Sequence, residues 1–254
     1  MKRLVIKVGS AVLRHGYDLA IDRLNNLVDL IAALKREKNY EIILVSSGAV
    51  AAGNITLDLD KTQIYNRQAL AAIGQPLLLK HYKKQFNTHN YKCAQMLLVA
   101  DDFDSRKRTK NIKAVMEILL KNNITPIVNE NDVIANEELL FGDNDQLAAN
   151  VAHAFNADLL VILSDVEGFY DDNPHHNTNA KIIKEVSFIK DEELEVKHSA
   201  NSEFATGGIV TKLKAAKFLM DKDIPMFLTS GFNLKTAHEY LLEDKHESGT
   251  LFKA

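Results

Sequence analysis

Short, nearly continuous apolar runs alternate with longer stretches in which apolar residues recur every three or four positions. The first run, LVIKVGSAVL, is rich in β-branched residues and broken by Gly9, so it reads as a strand entering a glycine turn. Leu24, Leu27, Leu30, Ile31 and Leu34 follow at helical spacing and predict an amphipathic helix from about Asp22 to Lys38. EIILV, then Ser46, Ser47, Gly48 and a run of small residues, repeats the order of strand, small-residue turn and helix. CAQMLLV before a helix starting near Arg106, ITPIVNEND, and ADLLVILSDVEGFY continue it, giving five strands by Leu163 and PMFLTSG as a later one. Further helices are expected from near Gln146 and from about Ile209 to Lys222, and GTLFKA reads as a short closing strand. The polar stretch from Tyr170 to Val186 reads as an irregular excursion or small hairpin.

Unalternating apolar strands separated by helices indicate parallel pairing with both faces covered. The expected fold class is α/β: a three-layer α/β/α sandwich around a largely parallel central sheet. In such a sheet ligands bind beyond the carboxyl ends of the strands. Those ends carry Lys7-Val8-Gly9-Ser10, Ser46-Ser47-Gly48-Ala49, Asn129-Glu130-Asn131-Asp132 and Ser164-Asp165. Together they are more specific than any one of them.

Composition narrows the class. A chain of 254 residues with 46% hydrophobic content can bury a large core, and 26% charge is ordinary for a soluble enzyme. The formal net charge of -3, with Lys and Arg scattered, leaves no footprint for nucleic acid or an anionic membrane. Cys93 is the single cysteine, so no intramolecular disulfide forms and no thiolate metal cluster is expected. Without a signal-peptide core or an apolar run near the roughly 20 residues that span a bilayer, a cytoplasmic location is the default expectation.

Individual features have a plain and a functional reading. Lys7 is either an edge lysine reaching solvent or a cation held at the ligand end of the sheet. SSGAVAAG lacks the G-x-S-x-G order of a nucleophile elbow; it is a capped turn, an anion seat, or both. ATGGIVTKLKAAKFL lacks the Walker A order, yet Gly207 and Gly208 are poor helix formers and Lys212 sits on the first turn, where the macrodipole disfavours a cation unless an anion is near. PIVNENDVIANEELLFGDND gathers Asn129, Glu130, Asn131, Asp132, Asp143, Asn144 and Asp145 within seventeen residues. It lacks the ligand spacing of an EF-hand loop and suits a polar amino acid, with acceptors for an ammonium and donors for a carboxylate. Asp143 could equally cap the helix that follows. His175 and His176 lie in a polar loop, and no zinc-hydrolase spacing occurs.

The stretches IKVGSAVL, VSSGAVAAG, IVNENDVIA, FGDNDQLAA, LLVILSDVEGFYDDNP, TGGIVTKLKAA and SGTLF resemble, in order, the motifs of the glutamate 5-kinase family within the amino-acid kinase (carbamate kinase-like) superfamily. That resemblance implies ATP-dependent phosphorylation of the L-glutamate side chain, the first step of proline biosynthesis, with magnesium accompanying ATP. It implies Lys7 and Lys212 at the transferring phosphoryl group, and Asp145 positioning them. Glutamate would be bound by Ser47, Asp132 and Asn144, with Asn129 and Asp143 nearby. The nucleotide would be held by Lys7, Ser164, Asp165 and the loop of Thr206, Gly207, Gly208, Ile209, Val210, Thr211 and Lys212. The family commonly has threonine at the Ser164 position. Implied partners are feedback-bound L-proline, further copies of the chain in a homo-oligomer, and glutamyl phosphate reductase as a functional link. Many bacterial members continue into a PUA domain; residues 1–254 are expected to form a kinase domain alone, so the RNA-binding character of that module is not carried over. Other kinases of the superfamily, or a non-catalytic amino-acid sensor, are the competing expectations.

Overall fold

The structure, a computed structural model, describes residues 2–16, 18–135, 144–174, 176–194 and 207–254. Its strands are β1 (Arg3–Val8), β2 (Arg14–His15), β3 (Asp18–Leu19), β4 (Glu41–Ser46), β5 (Lys92–Leu98), β6 (Ile124–Glu130), β7 (Leu159–Ser164), β8 (Glu185–Val186), β9 (Met226–Ser230) and β10 (Thr250–Phe252). Its helices are α1 (Ser10–Leu13), α2 (Ile21–Glu37), α3 (Ala49–Asn54), α4 (Ile64–Thr88), α5 (Asp101–Asp104), α6 (Arg106–Lys121), α7 (Asp145–Ala154), α8 (Gly207–Met220) and α9 (Lys235–Leu242).

The five early apolar runs are β1, β4, β5, β6 and β7, and they join one eight-stranded sheet of order β5-β6-β4-β1-β7-β9-β10-β8. Pairing is parallel from β5 through to β9, and β10 is antiparallel to β9. The expected polar excursion is there, with Tyr170 bridging Ile182 in antiparallel sense, but its end is drawn into the sheet as β8 beside β10. A two-residue strand with one exposed and one half-buried position carries too little apolar pattern to be read from sequence.

Alternation along the strands divides the core in two. Val5, Ile43, Val45, Leu160 and Ile162 pack with α6, α7 and α8. Leu4, Ile6, Ile42, Leu44 and Leu163 pack with α2, α4 and α9 on the other face. The helices stop in a shared way. Asn39, Asn90, Asn123 and Asn156 have φ between 52° and 59°, each two residues past a helix end. Asparagine tolerates this left-handed turn and sends the chain back toward the next strand.

Helix α4 is the longest element that periodicity did not announce; α5, α9 and the small β2–β3 pair were likewise not expected. Gly74 and Pro76 interrupt the pattern of α4, and its neighbour explains the glycine. A Cβ on Gly74 would lie 1.8 Å from the Ala49 carbonyl oxygen, and one on Gly53 would lie 1.9 Å from that of Leu70. The two helix backbones touch directly, which ties α4 to the start of α3 at the ligand end of the sheet.

Candidate active site

Lys7 is 2% exposed, in a central strand whose register sets it between Val45 and Ile162. The edge-lysine alternative therefore fails. Alternation places Lys7 on the Val5 face, toward α7, and a buried ammonium there requires an anionic partner. Asp145, wholly buried on the first turn of α7, supplies it: Oδ1 lies 2.5 Å from Lys7 Nζ. Its Oδ2 accepts from Lys212 Nζ at 3.0 Å and from the Thr211 hydroxyl at 3.1 Å. Lys212 also donates to the Gly208 carbonyl at 2.9 Å. The position that looked unfavourable for a lysine is thus countered from a different helix. Asp145 in turn gains from the positive end of the α7 dipole.

Asn144 occupies the N-cap position of α7, yet its side chain makes no capping hydrogen bond. It turns into the protein. Its Nδ2 donates to Asn129 Oδ1 at 2.8 Å and lies 3.3 Å from both the Ser46 carbonyl and Ser47 Oγ. Asn129 Oδ1 also accepts from the Glu130 backbone N–H at 2.9 Å, and its Nδ2 donates to Gln75 Oε1 at 2.8 Å. Below the loop, Ser46 Oγ donates to the Ser47 carbonyl at 2.9 Å and receives the hydroxyl proton of buried Tyr82 at 2.8 Å. Neither serine caps α3: Gly48 holds that position at φ 106°, where a side chain would be strained. The structure thus gathers Ser47, Asn129 and Asn144 into one buried amide and hydroxyl chain.

Asp132 lies just past β6, partly buried, and burial raises its carboxyl to about 6 while nearby Arg67 pulls the other way. It lines a cavity of about 170 Å³ with Gln75, Gln95, Leu97, Glu130 and Asn131. Ser164, buried at the end of β7, donates to Asp165 Oδ1 at 2.8 Å, and Asp165 is exposed. Helix α8 begins at Gly207, two residues before the expected Ile209. Open space fronts Gly208, whereas Val210 is buried and Ile209 packs on the core, so these two can offer a ligand only backbone groups. Asp143, Thr206 and His175 lie outside the described residues. Among the described residues no group of His, Cys, Asp or Glu could cage a metal, and no helix is long and apolar enough to cross a membrane. Sequence reasoning missed Gln75 and Tyr82; a glutamine set between Gly74 and Pro76 inside a helical run was the available signal for the first.

Two lysines from different elements therefore share one carboxylate beside a chain of oriented amides. Such an arrangement can hold phosphoryl oxygens against a polar substrate. Residues 2–230 match the amino acid kinase family. The chain belongs to this family. Within it, the chain is 55% identical over 256 residues to the glutamate 5-kinase of Wolinella succinogenes, spanning 99% of this chain and 98% of that protein. It is 50% identical over 252 residues to the glutamate 5-kinase of Leishmania donovani, spanning 99% and 95%. The family fold is also that of a carbamate kinase from Giardia lamblia bound to AMP-PNP, with a TM-score of 0.68 and 16% identity over 100% of this chain and 99% of that one. At that identity only the fold is shared.

Proposed function

We infer that this chain is a glutamate 5-kinase, converting ATP and L-glutamate into ADP and L-glutamyl 5-phosphate in the first step of proline biosynthesis. The activity follows from relatives at 55% and 50% identity over nearly the full chain. The observation that carries the mechanism is the buried Asp145 carboxylate with Lys7 and Lys212 on its two oxygens. A glutamate side chain is already ionised at neutral pH, so it attacks without a general base. Nucleophile and donor are both anionic, and the demand falls on cations and alignment. Lys7 from a strand end and Lys212 from a helix start would hold the transferring group, with Asp145 fixing their positions. Asp132 and the Asn144 carbonyl would hold the ammonium of glutamate; Ser47 and the backbone around Gly48 would approach its carboxylates. The nucleotide would lie along Ser164, Asp165 and the open start of α8.

Magnesium would arrive with ATP and screen phosphate charge. Among the described residues no group of His, Cys, Asp or Glu forms a cage for it. Three further assignments belong to the same proposal. Glutamyl 5-phosphate is an acyl phosphate and calls for a reductase that consumes it promptly. Proline keeps the amine and carboxylate that the pocket would recognise, which supports feedback binding. A homo-oligomer acting in the cytoplasm accords with the family resemblance. Glutamate-dependent ADP release, with hydroxylamine trapping the acyl phosphate, tests the activity. ADP release without a hydroxamate, or with equal rates on aspartate or carbamate, would point to another kinase of the family.

A further inference from the structure

Gln75 is 7% exposed, on the α4 turn that the Gly74 contact presses against α3. The amide chain it ends has a fixed polarity. The Glu130 backbone N–H can only donate, so the atom 2.9 Å from it is the Asn129 carbonyl oxygen. Asn129 Nδ2 then points the other way, and Gln75 Oε1 takes its proton at 2.8 Å. At the far end the Ser46 carbonyl can only accept, which sets the nearby Asn144 atom as nitrogen. Asn144 Oδ1 is left facing away from the chain, and it accepts no hydrogen bond among the described residues. A carbonyl oxygen in that place attracts an ammonium and repels a carboxylate.

We propose that Gln75 is a positioning residue for amino-acid recognition: by accepting from Asn129 it locks the chain in which Asn144 offers its carbonyl, and not its NH2, to the substrate ammonium. The proposal rests on the assignment of Asn144 as a substrate contact. Turning Asn129 over would set its NH2 against both the Glu130 N–H and the Asn144 NH2, while its oxygen met the Gln75 oxygen. The amides therefore hold one another, and Gln75 accepts from the Asn129 NH2. Without it, the Asn129 NH2 is a buried donor left unsatisfied, and the observed orientation is held by the Glu130 N–H and Asn144 contacts alone, a smaller margin.

The test compares L-glutamate with glutarate, which is the same diacid without the ammonium. In Gln75→Leu the kcat/KM for glutamate should fall about tenfold through KM, while glutarate affinity, read as competitive inhibition, and the ATP KM stay within about threefold. Gln75→Glu keeps an acceptor and should restore glutamate discrimination. Gln75→Met carries the same test if the leucine variant does not fold. Equal losses for glutamate and glutarate, or unchanged glutamate saturation in a folded variant, overturn the proposal. Asn144→Ala separates the two levels. If it leaves glutamate favoured over glutarate as before, the pocket assignment itself fails. If it abolishes that preference and Gln75→Leu does not, the pocket stands and the role of Gln75 falls.

Discussion

Replacing Asp145 by asparagine keeps the shape of the side chain and removes the charge that two lysines share. In the native protein Asp145 is 0% exposed, with Lys7 Nζ 2.5 Å and Lys212 Nζ 3.0 Å from its two oxygens and the Thr211 hydroxyl at 3.1 Å. An ammonium only donates, so the amide can satisfy one lysine with its oxygen and must set its NH2 against the other. Breaking a buried pair by removing one partner costs about 3–5 kcal/mol. For a chain of this size that corresponds to a fall in Tm on the order of 6–20 °C. At least one ammonium leaves its place, and by comparison with loss of a single oxyanion donor kcat should drop roughly 10²–10³-fold.

The assay is ADP release at saturating ATP and glutamate, run well below the variant's own melting temperature so that lost turnover is not lost fold. Both substrates should still saturate, because Asp145 is proposed to act through Lys7 and Lys212 and to touch neither substrate. A folded Asp145→Asn protein with native Tm and native kcat would refute the reasoning: the carboxylate would then be a buried group that places nothing.

Lys212→Ala should lower kcat by a similar factor with little change in glutamate KM, since the lysine is proposed to act on the phosphoryl group; unchanged kcat removes it from the chemistry. Asp132 predicts a pH dependence. Its carboxyl is raised from 3.8 to about 6 by burial, so the folded protein binds the extra proton between those values, and stability falls as pH rises through that window. Glutamate needs the ionised form, so its KM should climb as pH drops below about 6, and Asp132→Asn should flatten that profile. A flat native profile between pH 5 and 7 would sink the assignment. Gly74→Ala sets two rules against each other. Alanine favours a helix by about 1 kcal/mol, but its Cβ would meet the Ala49 carbonyl at 1.8 Å. Thermal unfolding should show net destabilisation, and a native or raised Tm would deny the α3–α4 contact.

Layering and strand positions were legible because the apolar runs of β1, β4, β6 and β7 fill strands buried on both faces, and β5 at the sheet edge still buries Met96 and Leu98. Strand order was not, since periodicity says which residues are inside and not which neighbour they meet. Helix α4 escaped notice because Gly74 answers a tertiary contact, not a local rule, and Pro76 lies inside the helix, where sequence reading expects a break. Lys7 and Lys212 stood out for the opposite reason: each broke a local expectation, a charge in an apolar strand and a cation at a helix start. By residue pattern alone Asp145 was one of several acids; the family resemblance singled it out, and the fold brings residues 7, 145 and 212 together. Gln75 is hidden by distance, since its partner Asn129 is 54 positions away.

The start of α7 explains why two neighbouring residues can serve two partners. Asn144 stands at the cap with φ -75° and ψ 16°, just outside the helix, and Asp145 is the first helical residue. Successive side chains at such a point diverge by about 100°. One therefore enters the amide chain of Ser47 and Asn129, and the other enters the space between Lys7 and Lys212. A single peptide unit thus joins the proposed substrate anchor to the group that holds the proposed phosphoryl cations. In-line transfer depends on alignment of nucleophile and donor to within a fraction of an ångström. A rigid helix end that carries both contacts fixes that alignment in covalent geometry, whereas two contacts on separate loops would have to find it by folding alone. The same coupling implies that displacing α7 would disturb substrate binding and turnover together, while the side-chain substitutions above should separate them.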